Sequence, residues 1–474
     1  MFVTQSTSSR TCRLQAIQTV KDSTASKTSR IIKSIGRIFN TLNEQITSDS
    51  KSTPYFSAKR NKTLNLNGRA QNINGDEIVC RHLATRWAEQ FNQTKGKVDY
   101  HGFDTPEAIS SNVSVTETEK AFKAPATTQL VENTAWGRVI ADTFSDMKKC
   151  KDSIRVQEVS TTNHTMALGL KIKRTPGRKK WVIQFYDPNN TANHQRAAFS
   201  CNKLTKLTKL TAGDFLNTSH LKTYELSQNG LSIFMDRRDA ASTFTTSRLP
   251  DNLLQPQMIF HAMSWGLVDA LQAVAKNLRN TSTHLSAKKT EVLLMGRGAG
   301  GTPGLFMALQ HGHTDAIRAY GEMLKNANLS PEKTAELLAA KRVDDTPGLV
   351  AALYYGHADA IRAYGEMLKN ANLSPEKTAE LLAAKRVDDT PGLVAALYNG
   401  HADAIRAYGD MLKNASLSPE KTAELLAAKM VNGTPGLVMA IEGGHADAIR
   451  AYGDMLKNAN LSPEKTAELL AANS

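Results

Sequence analysis

Leu83, Trp87 and Phe91 stand four residues apart with Ala84 and Ala88 beside them, so residues 80–92 carry one apolar stripe at helical spacing. Gly75 breaks the chain upstream and Asp76-Glu77 suit a helix start, which sets Cys80 in the first turn. Residues 98–100 read as short and extended, and 117–122 and 143–149 as helical. A strand-rich block follows over 154–199. Within it, 166–173 and 181–186 are two apolar runs joined by Thr175-Pro176-Gly177-Arg178, with Pro and Gly where a hairpin turn wants them.

Beyond Pro250 the pattern changes to an internal repeat. Thr302-Pro303-Gly304-Leu305 returns at Thr346, Thr390 and Thr434, a constant 44-residue period, and residues 346–389 differ from 390–433 at six positions. Each unit predicts three short helices: one after Thr-Pro-Gly-Leu, one after Gly-His, and one opened by Ser-Pro-Glu-Lys, where proline takes the first helical position behind a serine cap. A degenerate copy starting at Met258 makes five units. Thr-Pro before one helix and Gly-His before another resemble ankyrin repeats, about eleven residues longer than the roughly 33 usual for them. Gly296-Arg297-Gly298-Ala299-Gly300-Gly301 has nucleotide-loop spacing, but it falls in the repeat's own loop, without a preceding strand or a phosphate-binding lysine. His313, His357, His401 and His445 come one per unit and read as turn residues, so no metal site is expected.

These patterns divide the 474 residues into a leader and linker (1–52), an α+β domain (53–250) and an all-α repeat solenoid (251–474). The four cysteines, Cys12, Cys80, Cys150 and Cys201, form neither a C-x-x-C pair nor a disulfide framework, which points to a reducing compartment. No apolar run reaches the roughly 18 residues of a membrane span. Residues 1–30 hold 12 Ser or Thr and one acid, Asp22, the composition of either an organelle presequence or a leader for bacterial type III secretion. The net charge of +14 is uneven: from Arg297 onward there are 18 basic and 21 acidic residues, against 41 and 24 before it. Lys203, Lys206, Lys209 and residues 174–180 are the basic clusters. Their scatter, 6% aromatics and the lack of a nucleic-acid motif argue against DNA or RNA as partner.

Cys80 carries the candidate chemistry. A thiol of pKa about 8.5 can fall to roughly 3.5–7.5 at a helix N-terminus or beside an imidazolium. His164 stands immediately before the first strand of the predicted hairpin and Asp187 at the end of the second, so antiparallel pairing brings the two together. Helix-borne Cys, strand-borne His and then Asp is the order of papain-like thiol hydrolases. In that scheme Cys80 is nucleophile, His164 base and then acid, and Asp187 orients the imidazole. The oxyanion hole needs the Cys80 backbone N–H and a second donor, for which Gln71, Asn72 and above all Asn74 are candidates. Deamidases, transglutaminases and acyltransferases use the same thiolate, and a non-enzymatic repeat scaffold is the remaining alternative. No cofactor is expected.

Residues 78–84, 160–173, 182–189 and 251–254 resemble the Shigella enterotoxin-2 / EspL family of type III secreted effectors, and Cys80-x-x-Leu83-Ala84-x-x-Trp87 is similar to the nucleophile helix of YopT-like cysteine proteases. The resemblance covers residues 53–290. It implies a papain-like (YopT-like) cysteine protease domain, with the family's catalytic Cys, His and Asp on Cys80, His164 and Asp187. It further implies delivery by the type III machinery, with its chaperones, into the host cell cytoplasm. There, members cut host cell-death and inflammatory signalling proteins carrying RHIM motifs, and the repeats would recruit substrate.

Overall fold

A computed structural model describes residues 55–471 apart from 59–62, 124, 126, 177, 202–203, 237–253, 281–285 and 328. The leader 1–52, Cys12, Lys203 and the boundary at residue 250 lie outside the described residues.

Seven strands form one antiparallel sheet in the order β1-β8-β7-β6-β5-β9-β4, where β1 is Ser57–Ala58, β4 Thr127–Glu132, β5 Ile154–Ser160, β6 Thr165–Thr175, β7 Arg178–Tyr186, β8 Gln195–Ser200 and β9 Leu231–Asp236. The expected hairpin is β6–β7, with Ala167 opposite Tyr186 and Thr175 opposite Arg178. Strand alternation gives the sheet two covered faces. Met166, Leu168, Leu170, Ile183 and Phe185 face a helix that buries Trp136, Ile140 and Phe144. Ala167, Val156 and Tyr186 face a second helix, which buries Leu83, Trp87 and Phe91.

That second helix is α1 (Cys80–Gln93). It is followed by α2 (Pro106–Asn112), α3 (Val115–Lys123) and α4 (Trp136–Lys149), the last beginning seven residues before the expected 143. Asp76-Glu77 do not open α1: Glu77 lies in β3 (Glu77–Ile78), which pairs with β2 (Ala70–Gln71), and Val79 is the residue at the helix cap. Tyr100, read as extended, opens a 3-10 turn over Tyr100–Phe103. Trp87 stacks on Tyr186 with centroids 5.3 Å apart, and its indole N–H donates to Tyr100 Oη at 2.8 Å. A buried indole thus has its one donor satisfied.

After α5 (Leu204–Leu207), α6 (Thr218–Thr223) and β9, the elements among the described residues are helices. Unit one comprises α7 (Pro256–Ser264), α8 (Val268–Asn280) and α9 (Ala287–Met295). Unit two comprises α10 (Gly304–His311), α11 (Thr314–Lys325) and α12 (Pro331–Ala339); unit three α13 (Gly348–Tyr355), α14 (Ala358–Asn370) and α15 (Pro375–Leu382). Unit four runs through α16 (Gly392–Tyr398), α17 (Ala402–Asn414) and α18 (Pro419–Leu426), and unit five through α19 (Gly436–Glu442), α20 (Ala446–Asn458) and α21 (Pro463–Leu470).

The repeated histidines and tyrosines join neighbouring units. His357 Nε2 lies 2.9 Å from Gln310 O and His401 Nε2 2.9 Å from Tyr354 O, each reaching back to the preceding unit. Tyr320, Tyr364, Tyr408 and Tyr452 donate to Leu294, Leu338, Leu382 and Leu426 carbonyls at 2.7–2.8 Å. The first unit is not separate from the sheet. Leu130 of β4 and Leu231, Ile233 and Met235 of β9 share one buried cluster with Met258, Ile259, Ala262 and Met263 of α7.

Candidate active site

Cys80 is the first residue of α1, so its backbone N–H and that of Arg81 have no carbonyl one turn earlier to donate to. The cap itself is built differently from the usual serine or aspartate. The Val79 N–H donates to His82 Nδ1 at 3.2 Å, which requires that nitrogen's lone pair and leaves Nε2–H to donate to Glu119 Oε2 at 3.0 Å. Arg81 Nε reaches the same oxygen at 2.6 Å. Glu119, on α3, therefore anchors both residues that follow the thiol. Those partners, with Arg81 Nε foremost after His82, outweigh burial and hold its carboxyl far below the usual range.

α1 runs along β6 because β6 offers small residues there. Ala167 is buried beneath it, and Gly169 lets Phe91 approach so closely that an added Cβ would overlap the ring. The start of β6 consequently lies beside the start of α1. A tight turn, in which Thr161 N–H donates to His164 O at 2.8 Å and Thr161 Oγ1 accepts the His164 N–H at 3.0 Å, delivers His164 to that point. Asp187 directly follows the last residue of the neighbouring strand β7 and lies 2.8 Å from His164 Nε2. With Nε2 held by the carboxylate, Nδ1 is the nitrogen left to face Cys80, whose thiol is influenced by His164 and by the Thr165 backbone. Cys80, His164 and Asp187 are thus brought together.

The charges are mutually reinforcing. Burial pushes the Cys80 thiol up, but the hydrogen bond and charge of His164, the Thr165 N–H and the charge of Arg81 outweigh it and leave the pKa below its ordinary value. Burial pulls His164 down, and Asp187 and the thiolate more than reverse this, raising it to about 9. Asp187, which burial alone would raise, is held at about 2 by His164, His220 and the Asn189 N–H. Both shifts run in the direction of a thiolate–imidazolium pair.

Three residues of this site have no signal in the sequence pattern. Tyr224 stacks on the His164 ring, centroids 4.0 Å apart at 17°, and its hydroxyl lies 2.9 and 3.1 Å from the two Asp187 oxygens. Asn189 Nδ2 donates to that hydroxyl at 2.7 Å, and His220 Nδ1 stands 3.7 Å from Asp187 Oδ2. Asn74, by contrast, sits at the exposed tip of the β2–β3 hairpin, its N–H donating to Asn72 Oδ1 at 2.9 Å; Asn72 in turn bonds Asp76 and Gln71 accepts from Ser110. A turn residue committed to its own loop is no donor to an oxyanion. Cys150 is exposed, and Cys201 packs at the edge of the sheet's second core. Among the described residues, no group of three or more His, Cys, Asp or Glu could hold a metal ion, and no helix is long and apolar enough to cross a membrane.

A family model described as ShET2 enterotoxin, N-terminal region, matches residues 38–297. The chain belongs to that family. It is also 47% identical over 278 residues to the protein named effector protease OspD3 of Shigella flexneri, a match covering 59% of this chain and 49% of that protein. The chain thus spans about half the length of the curated relative it matches. Among solved structures, the ankyrin repeat domains of Bcl-3 and human ASB11 align at 12% and 13% identity. They cover 45% and 46% of this chain and 96% and 97% of theirs, with TM-scores of 0.26 and 0.21.

Proposed function

We propose that this member of the family is a papain-like cysteine protease acting as a secreted effector, with Cys80 as nucleophile. The observation that carries the reading is the joint placement of Cys80 at the start of α1 and of His164 on Asp187 at 2.8 Å. The protease name of the Shigella flexneri relative supports it. In the proposed reaction the Cys80 thiolate attacks a peptide carbonyl, and the oxyanion that forms is met by the N–H groups of Cys80 and Arg81 at the positive end of α1. His164, protonated at rest, gives its Nδ1 proton to the leaving amine as the C–N bond breaks. It then takes a proton from water, whose oxygen releases the acyl group and restores the thiolate. Asp187 keeps the ring in position and stabilises its charge.

The substrates implied by the family resemblance are host cell-death and inflammatory signalling proteins carrying RHIM motifs, reached in the host cytoplasm after type III secretion, with the helical repeats recruiting them. A survey of new protein N-termini in cells receiving the unaltered protein or Cys80→Ala tests both levels. New termini that depend on Cys80 support proteolysis, and their positions name the substrates. A Cys80-dependent mass change without cleavage would replace proteolysis with deamidation or transglutamination, and no covalent change would leave a scaffold.

A further inference from the structure

The end of the sheet opposite the thiolate gathers cations from three separate segments. The β6–β7 hairpin runs on past β5, whose last pair at this end is Ile154 with Lys171, and the projecting part exposes Lys173, Arg174, Lys179 and Lys180. The loop leaving α1 adds exposed Lys95 and Lys97 and is tied in by Lys171 Nζ donating to Lys95 O at 2.8 Å. On the other face, the last turn of α4 and the two residues after it expose Lys148, Lys149 and Lys151, and the Ile172 N–H bonds Ser153 O at 2.9 Å to hold that segment against the hairpin. Among the described residues, no ion pair joins any of these side chains to a carboxylate; nearby Asp152 is committed to Arg155 at 2.9 Å. Burial and the charges of Lys173 and Lys97 depress the Lys171 pKa, so the concentration of like charge is felt within the fold. Much of the excess positive charge upstream of the repeats collects here.

We propose that this basic end docks on the anionic headgroup layer of a phospholipid bilayer. The chemistry of the patch favours lipid over nucleic acid. Lysine dominates, and its point charge suits diffuse attraction to a headgroup layer, whereas arginine's planar fork is the usual choice for phosphodiester and base recognition. Among the described residues, none of the exposed large hydrophobic side chains lies on these three segments, and the exposed ring beside them, Tyr55, is packed against Phe199 of β8, so no row of rings is offered for bases to stack on. The geometry has a functional consequence. α1 has 14 residues, so its Cys80 end stands about 20 Å from its lysine end, and a molecule seated on lipid by this pole turns its thiolate away from the surface.

Flotation of the full chain with vesicles tests the proposal. It should float with phosphatidylcholine vesicles containing phosphatidylserine at about 0.1 M salt, be released at about 0.5 M, and ignore phosphatidylcholine alone. The exposed-site variant K173E/R174E/K179E/K180E should bind at least about tenfold more weakly while keeping its unfolding midpoint and its rate of thiol-probe labelling at Cys80. Equal binding by that variant, or no preference for phosphatidylserine, would overturn the assignment. Tighter binding to duplex DNA or to RNA than to the anionic vesicles in the same buffer would overturn it in favour of nucleic acid.

Discussion

Tyr224 covers the His164 ring with its own and at the same time presents its hydroxyl to Asp187, so one side chain restrains both partners of the thiolate. Replacing it by Phe keeps the stack and deletes the bond to a buried carboxylate, an interaction of about 1.5–3 kcal/mol. If that bond serves to hold the imidazolium, kcat should fall about ten- to a hundredfold with little change in KM, and Tyr224→Ala should fall further because the stack goes too. Equal activity of the Phe variant and the unaltered protein in a peptide assay would reduce Tyr224 to packing. The proposed triad implies a signed pH dependence. In the proposed reaction the active form has Cys80 ionised and His164 protonated, so activity should be lost as pH rises through about 9 and lost again as pH falls through the depressed thiol value. A kcat/KM profile with its alkaline limb near the ordinary imidazole pKa, rather than near 9, would contradict the ion pair. Cys80→Ala and His164→Ala should abolish activity, and Asp187→Asn should cost less, since an amide still orients the ring.

At the level of elements, α1 can lie on β6 only because Gly169 has no side chain. An added Cβ would stand 2.1 Å from Phe91 Cε2, a ring that is itself buried and has nowhere to go. Gly169→Ala should therefore lift the C-terminal half of α1 and destabilise the fold by about 1–3 kcal/mol or more, read as a lower urea midpoint. A midpoint unchanged within error would mean the helix can slide without loss. This contact also explains what was legible beforehand. The stripe Leu83-Trp87-Phe91, the β6–β7 hairpin and the order Cys, His, Asp are local patterns, and local patterns were enough to expect that Cys80, His164 and Asp187 lie near one another. β1, β4 and β9 were not anticipated because a strand of two or six residues is defined by partners far along the chain: β9 pairs with β5 and β4 across more than 70 residues. Tyr224 and His220 reach Asp187 through the same kind of remote closure. Asn74 was placed by its distance in sequence from Cys80, and the β2–β3 turn overrode that distance by giving it a partner inside its own loop.

Across the whole molecule, the interface between sheet and repeats decides which part can stand alone. The division at residue 250 would strip α7 from Leu130, Leu231, Ile233 and Met235, all of which it helps to bury. Exposing four such side chains removes roughly 1.5–3 kcal/mol each as an upper estimate, against a total stability of about 5–15 kcal/mol for a typical domain. The family match, which runs to residue 297, takes in α7, α8 and α9 and stops just past unit one. We therefore place the functional boundary after α9, so that unit one belongs to the sheet and the following units form the repeat stack. A chain ending at Asp345, which keeps units one and two, should remain soluble, unfold cooperatively and label at Cys80 like the full protein, since a repeat stack loses units at its end with only nearest-neighbour cost. A chain ending at Leu254 should unfold without a cooperative transition and label its cysteines indiscriminately. Cooperative unfolding of that shorter chain at the full-length midpoint would show that the sheet needs no cover from α7 and would restore the division at 250.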